Sequence, residues 1–123
     1  MTAQVLADKI ARMAYNKKGN DITIVDLRGI SDIADFFVIV SGESDVHIKT
    51  IANHIEKELK SEKIRPWHKE GYNKLNWVLL DYVEVVAHIF KPETREYYDL
   101  ERLWADAKFI KVEDDANVRV LSE

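Results

Sequence analysis

The chain has 123 residues, no cysteine, 18 Lys and Arg against 22 Asp and Glu, and a formal net charge of −4. That length suits one domain with a real core, the missing cysteines remove disulfides, thiolate nucleophiles and zinc–thiolate sites, and the negative charge disfavours broad phosphate-backbone binding while suiting a basic protein partner. No apolar run reaches the length of a membrane span, and the N-terminus carries neither a signal-peptide core nor an Arg/Ser-rich transit segment, so a soluble cytoplasmic protein is expected.

Residues 2–17 place Val5, Leu6, Ile10, Met13 and Ala14 at helical spacing, with Thr2 as the cap. Gly19 and Asn20 end this helix. Residues 21–28 (DITIVDLR) alternate as a strand closed by Gly29, and 31–35 are turn-like. Residues 36–40 (FFVIV) form a continuous apolar run too short for a helix and rich in β-formers, which predicts a strand buried on both faces at the centre of a sheet. Residues 41–45 (SGESD) lead into a second helix over 45–62, with Ser44 as cap and Ile48, Ile51, Ala52, Ile55 and Leu59 as its apolar stripe. Residues 64–69 (IRPWHK) make a weaker strand, and Pro66, which cannot donate to a ladder, assigns it to an edge or a bulge. Glu70, Gly71, Tyr72 and Asn73 form the following loop.

Residues 77–90 (WVLLDYVEVVAHIF) are two apolar runs around a short polar interruption, a β-hairpin pattern. Strand alternation with an even connection gathers Val78, Leu80, Val85, Ala87 and Ile89 on one face. Trp77, Leu79, Asp81, Val86, His88 and Phe90 share the other. The first set is aliphatic and suits a helix-covered core. The second mixes aromatics with a carboxylate and an imidazole: a covering helix explains Trp77, Leu79 and Phe90 as well as a partner does, while Asp81 and His88 beside them favour a binding hot spot with a polar rim. Pro92 then terminates the last strand, and Asp99 is expected to cap a final helix with Leu100, Leu103, Trp104 and Ala107 as its core stripe. The order helix, strand, strand, helix, three strands, helix implies an α/β (α+β) fold, a mixed sheet of about five strands with helices packed on it. Residues 108–123 fit a short strand and a frayed end equally.

Catalytic readings find little support in these patterns. The 41–45 turn would offer backbone N–H groups to a phosphate, but Glu43 and Asp45 repel an anion, and a capped helix start explains it as well. Strand, Gly-Ser-type turn and helix also resemble the nucleotidyltransferase fold, yet residues 64–69 carry no acid pair for two metal ions. The alternative function is nevertheless a nucleotidyltransferase-like enzyme, with a site built from the 41–45 turn and Asp26 or Asp81. Of four histidines, His47 and His54 lie about two helical turns apart, roughly 10 Å, too far to share one ion. Ser31, Ser41, Ser44, Ser61 and Ser122 lack any nucleophile-elbow context.

A family resemblance is carried by Ser31-Asp32-Ile33-Ala34-Asp35-Phe36-Phe37-Val38-Ile39, Ser41-Gly42, His47 with Ile51-Ala52, Glu70-Gly71, Trp77-Val78-Leu79-Leu80-Asp81-Tyr82, Val85-Val86 with His88-Ile89-Phe90, Arg95 with Tyr97-Tyr98-Asp99-Leu100-Glu101, and Leu103-Trp104. In this order they resemble the ribosomal silencing factor family, also called iojap. The resemblance implies a nucleotidyltransferase-like fold without transferase chemistry, over a single domain at 1–107 with 108–123 as a C-terminal extension. It also implies binding to the large ribosomal subunit through its protein fourteen, a block on small-subunit joining, repression of translation when nutrients are scarce, and homodimers. One departure is Val83-Glu84 at the hairpin turn, where many members have Gly-Asp. The residues expected to meet the partner are Trp77, Leu79, Asp81, Tyr82 and His88, with Glu70 and Tyr98 beside them. No cofactor, metal, membrane contact or dedicated nucleic-acid site is expected, and the missing transit segment favours a bacterial member.

Overall fold

The computed structural model describes residues 1–113 and the backbone of Val118–Val120. Helix α1 (Ala3–Asn16) starts where the Thr2 hydroxyl accepts the Val5 N–H at 3.1 Å. Helix α2 (Asp45–Ser61) starts in the same way, the Ser44 hydroxyl accepting the His47 N–H at 3.1 Å. Both lay their apolar stripes, Ile10 and Ala14 in α1 and Ile48, Ile51, Ile55 and Leu59 in α2, on one face of the sheet. Val5, counted in the α1 stripe by spacing, is exposed.

The sheet contains β1 (Asn20–Asp26), β2 (Phe36–Ser41), β3 (His68–Glu70), β4 (Trp77–Asp81), β5 (Val85–Phe90), β6 (Lys108–Val112) and β7 (Val118–Val120). Their order is β3-β4-β5-β2-β1-β6-β7, so β2 is the middle strand, buried throughout as its unbroken apolar run predicts. The β2–β5 pair is parallel and the others are antiparallel, which makes the sheet mixed. Residues 108–112 take the strand alternative and add to the β1 edge, enlarging the sheet beyond five strands. The Pro66 segment contributes only the short edge strand β3, and Glu70 belongs to that strand rather than to the loop after it. Residues 114–117 and 121–123, with Leu121, lie outside the described residues.

The segment after the hairpin departs from expectation. Pro92 ends the strand, and it also sits in the first turn of α3 (Pro92–Tyr98), where its missing N–H costs nothing. Asp99 does not cap through its side chain; its left-handed backbone (φ 47°, ψ 55°) separates α3 from the single turn α4 (Leu100–Leu103). The anticipated core stripe therefore breaks up: Leu103 is 70% exposed, Leu100 and Trp104 are half-buried, and only Ala107 is fully inside. These residues thinly cover the second sheet face, against Val25, Phe37, Ile39, Val86 and Phe90.

Candidate functional site

The hairpin register sets Trp77 opposite Phe90, Leu79 opposite His88 and Asp81 opposite Val86, with Val78 against Ile89 and Leu80 against Ala87 on the reverse face. The two faces are those given by alternation. Helices α1 and α2 cover the aliphatic one, while the mixed one is only partly covered, and Trp77 stands where that cover stops. Its indole N–H donates to His88 Nδ1 at 3.1 Å, and its ring lies 4.8 Å from Phe90 and 4.9 Å from Tyr98. Tyr97 meets Tyr98 edge-on at 5.1 Å. A groove of about 750 Å³ opens here, with Gly71, Asn76 and Trp77 on one side and Thr94, Tyr97 and Tyr98 of α3 on the other. Gly71 is needed for the approach, because with φ +94° a Cβ would fall 1.9 Å from the Trp77 carbonyl oxygen.

The remaining expected contact residues divide into two groups. Leu79 is half-buried, Glu70 is exposed on the neighbouring edge strand with its carboxylate 3.1 Å from His68 Nε2, and Tyr98 is 50% exposed. Asp81 is partly exposed on the same sheet face, and one of its carboxylate oxygens accepts the Val83 N–H at 2.7 Å. Tyr82 and His88 are corrected by burial. Tyr82 follows Asp81 and so turns to the opposite face, into the core under α2, where burial raises its hydroxyl pKa and the hydroxyl finds no partner among the described residues. His88 lies on an interior strand between β4 and β2, 4% exposed, with Phe37 at 4.5 Å and Trp77 over it. Burial lowers its pKa to about 3, so it stays neutral and acts through Trp77 rather than on a partner. Tyr97 and Thr94 join the site because Pro92 does more than end the strand: Pro-Glu at 92–93 is also a helix-start signal, and the helix it opens carries both beside Trp77.

The enzymatic alternative loses its geometry. Asp26 pairs with Phe36 at the start of β2, and Asp81 reaches the same end through Val86 and Phe37, whereas Ser41 is at the far end of that strand. Four or five residues at about 3.3 Å each put roughly 13–17 Å between the 41–45 turn and either carboxylate. Asp26 is also held by Arg28 through two side-chain bonds of 3.0 and 2.9 Å, which lowers its pKa. His47 uses both ring nitrogens, Nδ1 for the Glu43 N–H at 2.9 Å and Nε2 for the Lys17 carbonyl at 2.8 Å, tying the turn to the end of α1. Among the described residues no three His, Asp or Glu side chains converge as metal ligands, and no helix is long and apolar enough to cross a membrane.

Comparison with known proteins places this arrangement. A family model described as "Ribosomal silencing factor during starvation" matches residues 1–122. Proteins named ribosomal silencing factor RsfS are similar to the chain in Bacillus subtilis, 41% identical over 80% of this chain and 85% of theirs, and in Halalkalibacterium halodurans, 36% identical over 92% and 97%. A crystal structure of a Chromobacterium violaceum protein superposes with a TM-score of 0.82 at 30% identity, covering 85% of this chain and 88% of that one. The matched span takes in the sheet, both long helices and the Trp77 groove, and on these grounds the chain belongs to the ribosomal silencing factor family.

Proposed function

We propose that the chain docks on the large ribosomal subunit, at its protein fourteen, and blocks joining of the small subunit by occupying the shared face, so that translation falls when nutrients are scarce. The observation that carries this reading is the partly exposed aromatic cluster of Trp77, Tyr97 and Tyr98, with Glu93 and Lys74 lining its groove, Asp81 further along the same face of β4 and Glu70 on the neighbouring edge strand. Aromatic anchors inside a polar rim are what concentrates binding energy. Exposed carboxylates on this side of the sheet, on a chain of net charge −4, suit a basic ribosomal protein. Steric exclusion requires no catalysis, and the site of action is the bacterial cytoplasm.

The test is sedimentation of the purified protein with separated subunits, followed by a subunit-joining assay. Co-migration with the large subunit and a dose-dependent loss of joined particles are expected; joining that proceeds undiminished with the factor bound overturns the exclusion. The exposed rings also suit a second copy of the chain, and sedimentation velocity over a concentration series reads that association.

A further inference from the structure

The groove on the α2 side of β3 differs in chemistry from the Trp77 groove. It measures about 810 Å³ and is lined by Lys57 and Lys60 of α2, Arg65, Trp67 and Lys69. Trp67 is 76% exposed, yet its backbone is fixed to the sheet by the bond from its N–H to the Asp81 carbonyl at 2.8 Å. A large indole thus stands in water on a rigid base. Glu56, the acid lining the groove, is already taken by Lys69 at 3.2 Å and by the Tyr72 hydroxyl. Lys57, Lys60 and Arg65 have no carboxylate partner among the described residues. Three free cations around an uncovered aromatic face are the two halves of single-strand nucleic-acid recognition: phosphates on the cations and a base on the ring.

We propose that this groove takes a single-stranded RNA segment, with one base stacked on Trp67 and the flanking phosphates on Lys57, Lys60 and Arg65. An acidic peptide would satisfy the cations and leave the indole without a use, and a duplex keeps its bases out of reach of stacking. The net charge of −4 hides this patch, because the excess acids lie elsewhere on the surface. Only the RNA's source, ribosomal RNA beside the docked factor, rests on the ribosomal reading.

The test uses the full chain and a labelled oligo(A) of about eight nucleotides, within the usual single-strand site sizes. Binding read by anisotropy should weaken as salt rises, with a log–log slope near −2, about 0.7 for each of three cations. Trp67→Ala should weaken it roughly tenfold. Lys60→Gln with Arg65→Gln should flatten the slope by about 1.4. All three positions are exposed, so the variants keep the fold, and Trp67→Ala should bind protein fourteen as the unaltered chain does. Oligo(A) binding in the Trp67→Ala variant within about twofold of the unaltered chain overturns the proposal, as does polyglutamate competing as well as oligo(A), which marks an acidic-protein site. Loss of protein-fourteen binding by Trp77→Ala with oligo(A) binding retained supports two separate surfaces. A chain that binds oligo(A) but not protein fourteen refutes the docking reading alone.

Discussion

Replacing His88 with Asn separates two things the imidazole does. The Asn carbonyl oxygen can still accept the Trp77 indole N–H that Nδ1 accepts at 3.1 Å, but Asn takes up no proton. In the folded chain burial lowers the His88 pKa to about 3, against 6.5 for the free group. Below pH 6.5 the unfolded state therefore holds more protons, and stability falls with pH by up to about 1.4 kcal/mol per unit until pH 3 is approached. Above pH 6.5 this contribution is complete. From pH 7 to 4.5 His88 should remove about 2–3 kcal/mol, a large part of an ordinary domain's 5–15 kcal/mol. Carboxylates add their own pH dependence, so the quantity to measure is the difference between the unaltered chain and His88→Asn. Urea unfolding across pH 7 to 4.5 should show the midpoint of the unaltered chain falling further than the variant's, by on the order of 1 M. Parallel falls in the two proteins would refute the buried, neutral imidazole and with it the account of how Trp77 is held.

Two further stability predictions concern the hairpin turn and helix α3. Val83 has φ +74° with the Glu84 N–H bonded back to the Tyr82 carbonyl at 3.0 Å, a tight turn that a β-branched residue adopts only under strain. Val83→Gly should raise stability by about 0.5–1 kcal/mol net of glycine's entropy, seen as a melting temperature a few degrees higher; a lower melting temperature would mean the turn is unstrained. Arg95 fastens α3 to the sheet through the Asp21 carbonyl at 2.8 Å, Ser41 Oγ at 2.9 Å and Glu101 at 2.8 Å. Arg95→Met should cost about 2–4 kcal/mol in denaturant unfolding and leave Glu101 unpaired, and adding Glu101→Gln should restore part of that loss. No restoration would show the pair to be energetically idle.

The two long helices, the buried central strand and the division of the hairpin into two faces were all readable from spacing. Each rests on a periodic pattern that tertiary packing has no reason to override. The finer shape of the site was not readable. Trp77, Leu79 and Asp81 share a face as predicted, but whether a residue on that face meets water depends on what lies over it, and the cover comes from α3 and α4, which a left-handed Asp99 divides. His88 has the right parity and lies too deep, while Tyr82 has the wrong parity altogether. The Trp67 groove is not legible in the sequence for another reason: net charge is a sum over the whole surface, and the three free cations come together only when α2 packs beside β3.

The most direct test is a titration of purified large-subunit protein fourteen with the unaltered chain and with Trp77→Ala, each first checked for a cooperative thermal melt. Glu70→Lys, at an exposed position that the fold does not need, is run beside them as the charge counterpart. Loss of a central aromatic anchor costs 2 kcal/mol or more, so Trp77→Ala should weaken binding about thirtyfold, and Glu70→Lys should weaken it with a changed salt dependence. A folded Trp77→Ala protein that binds protein fourteen as tightly as the unaltered chain would contradict the assignment of this face as the docking surface.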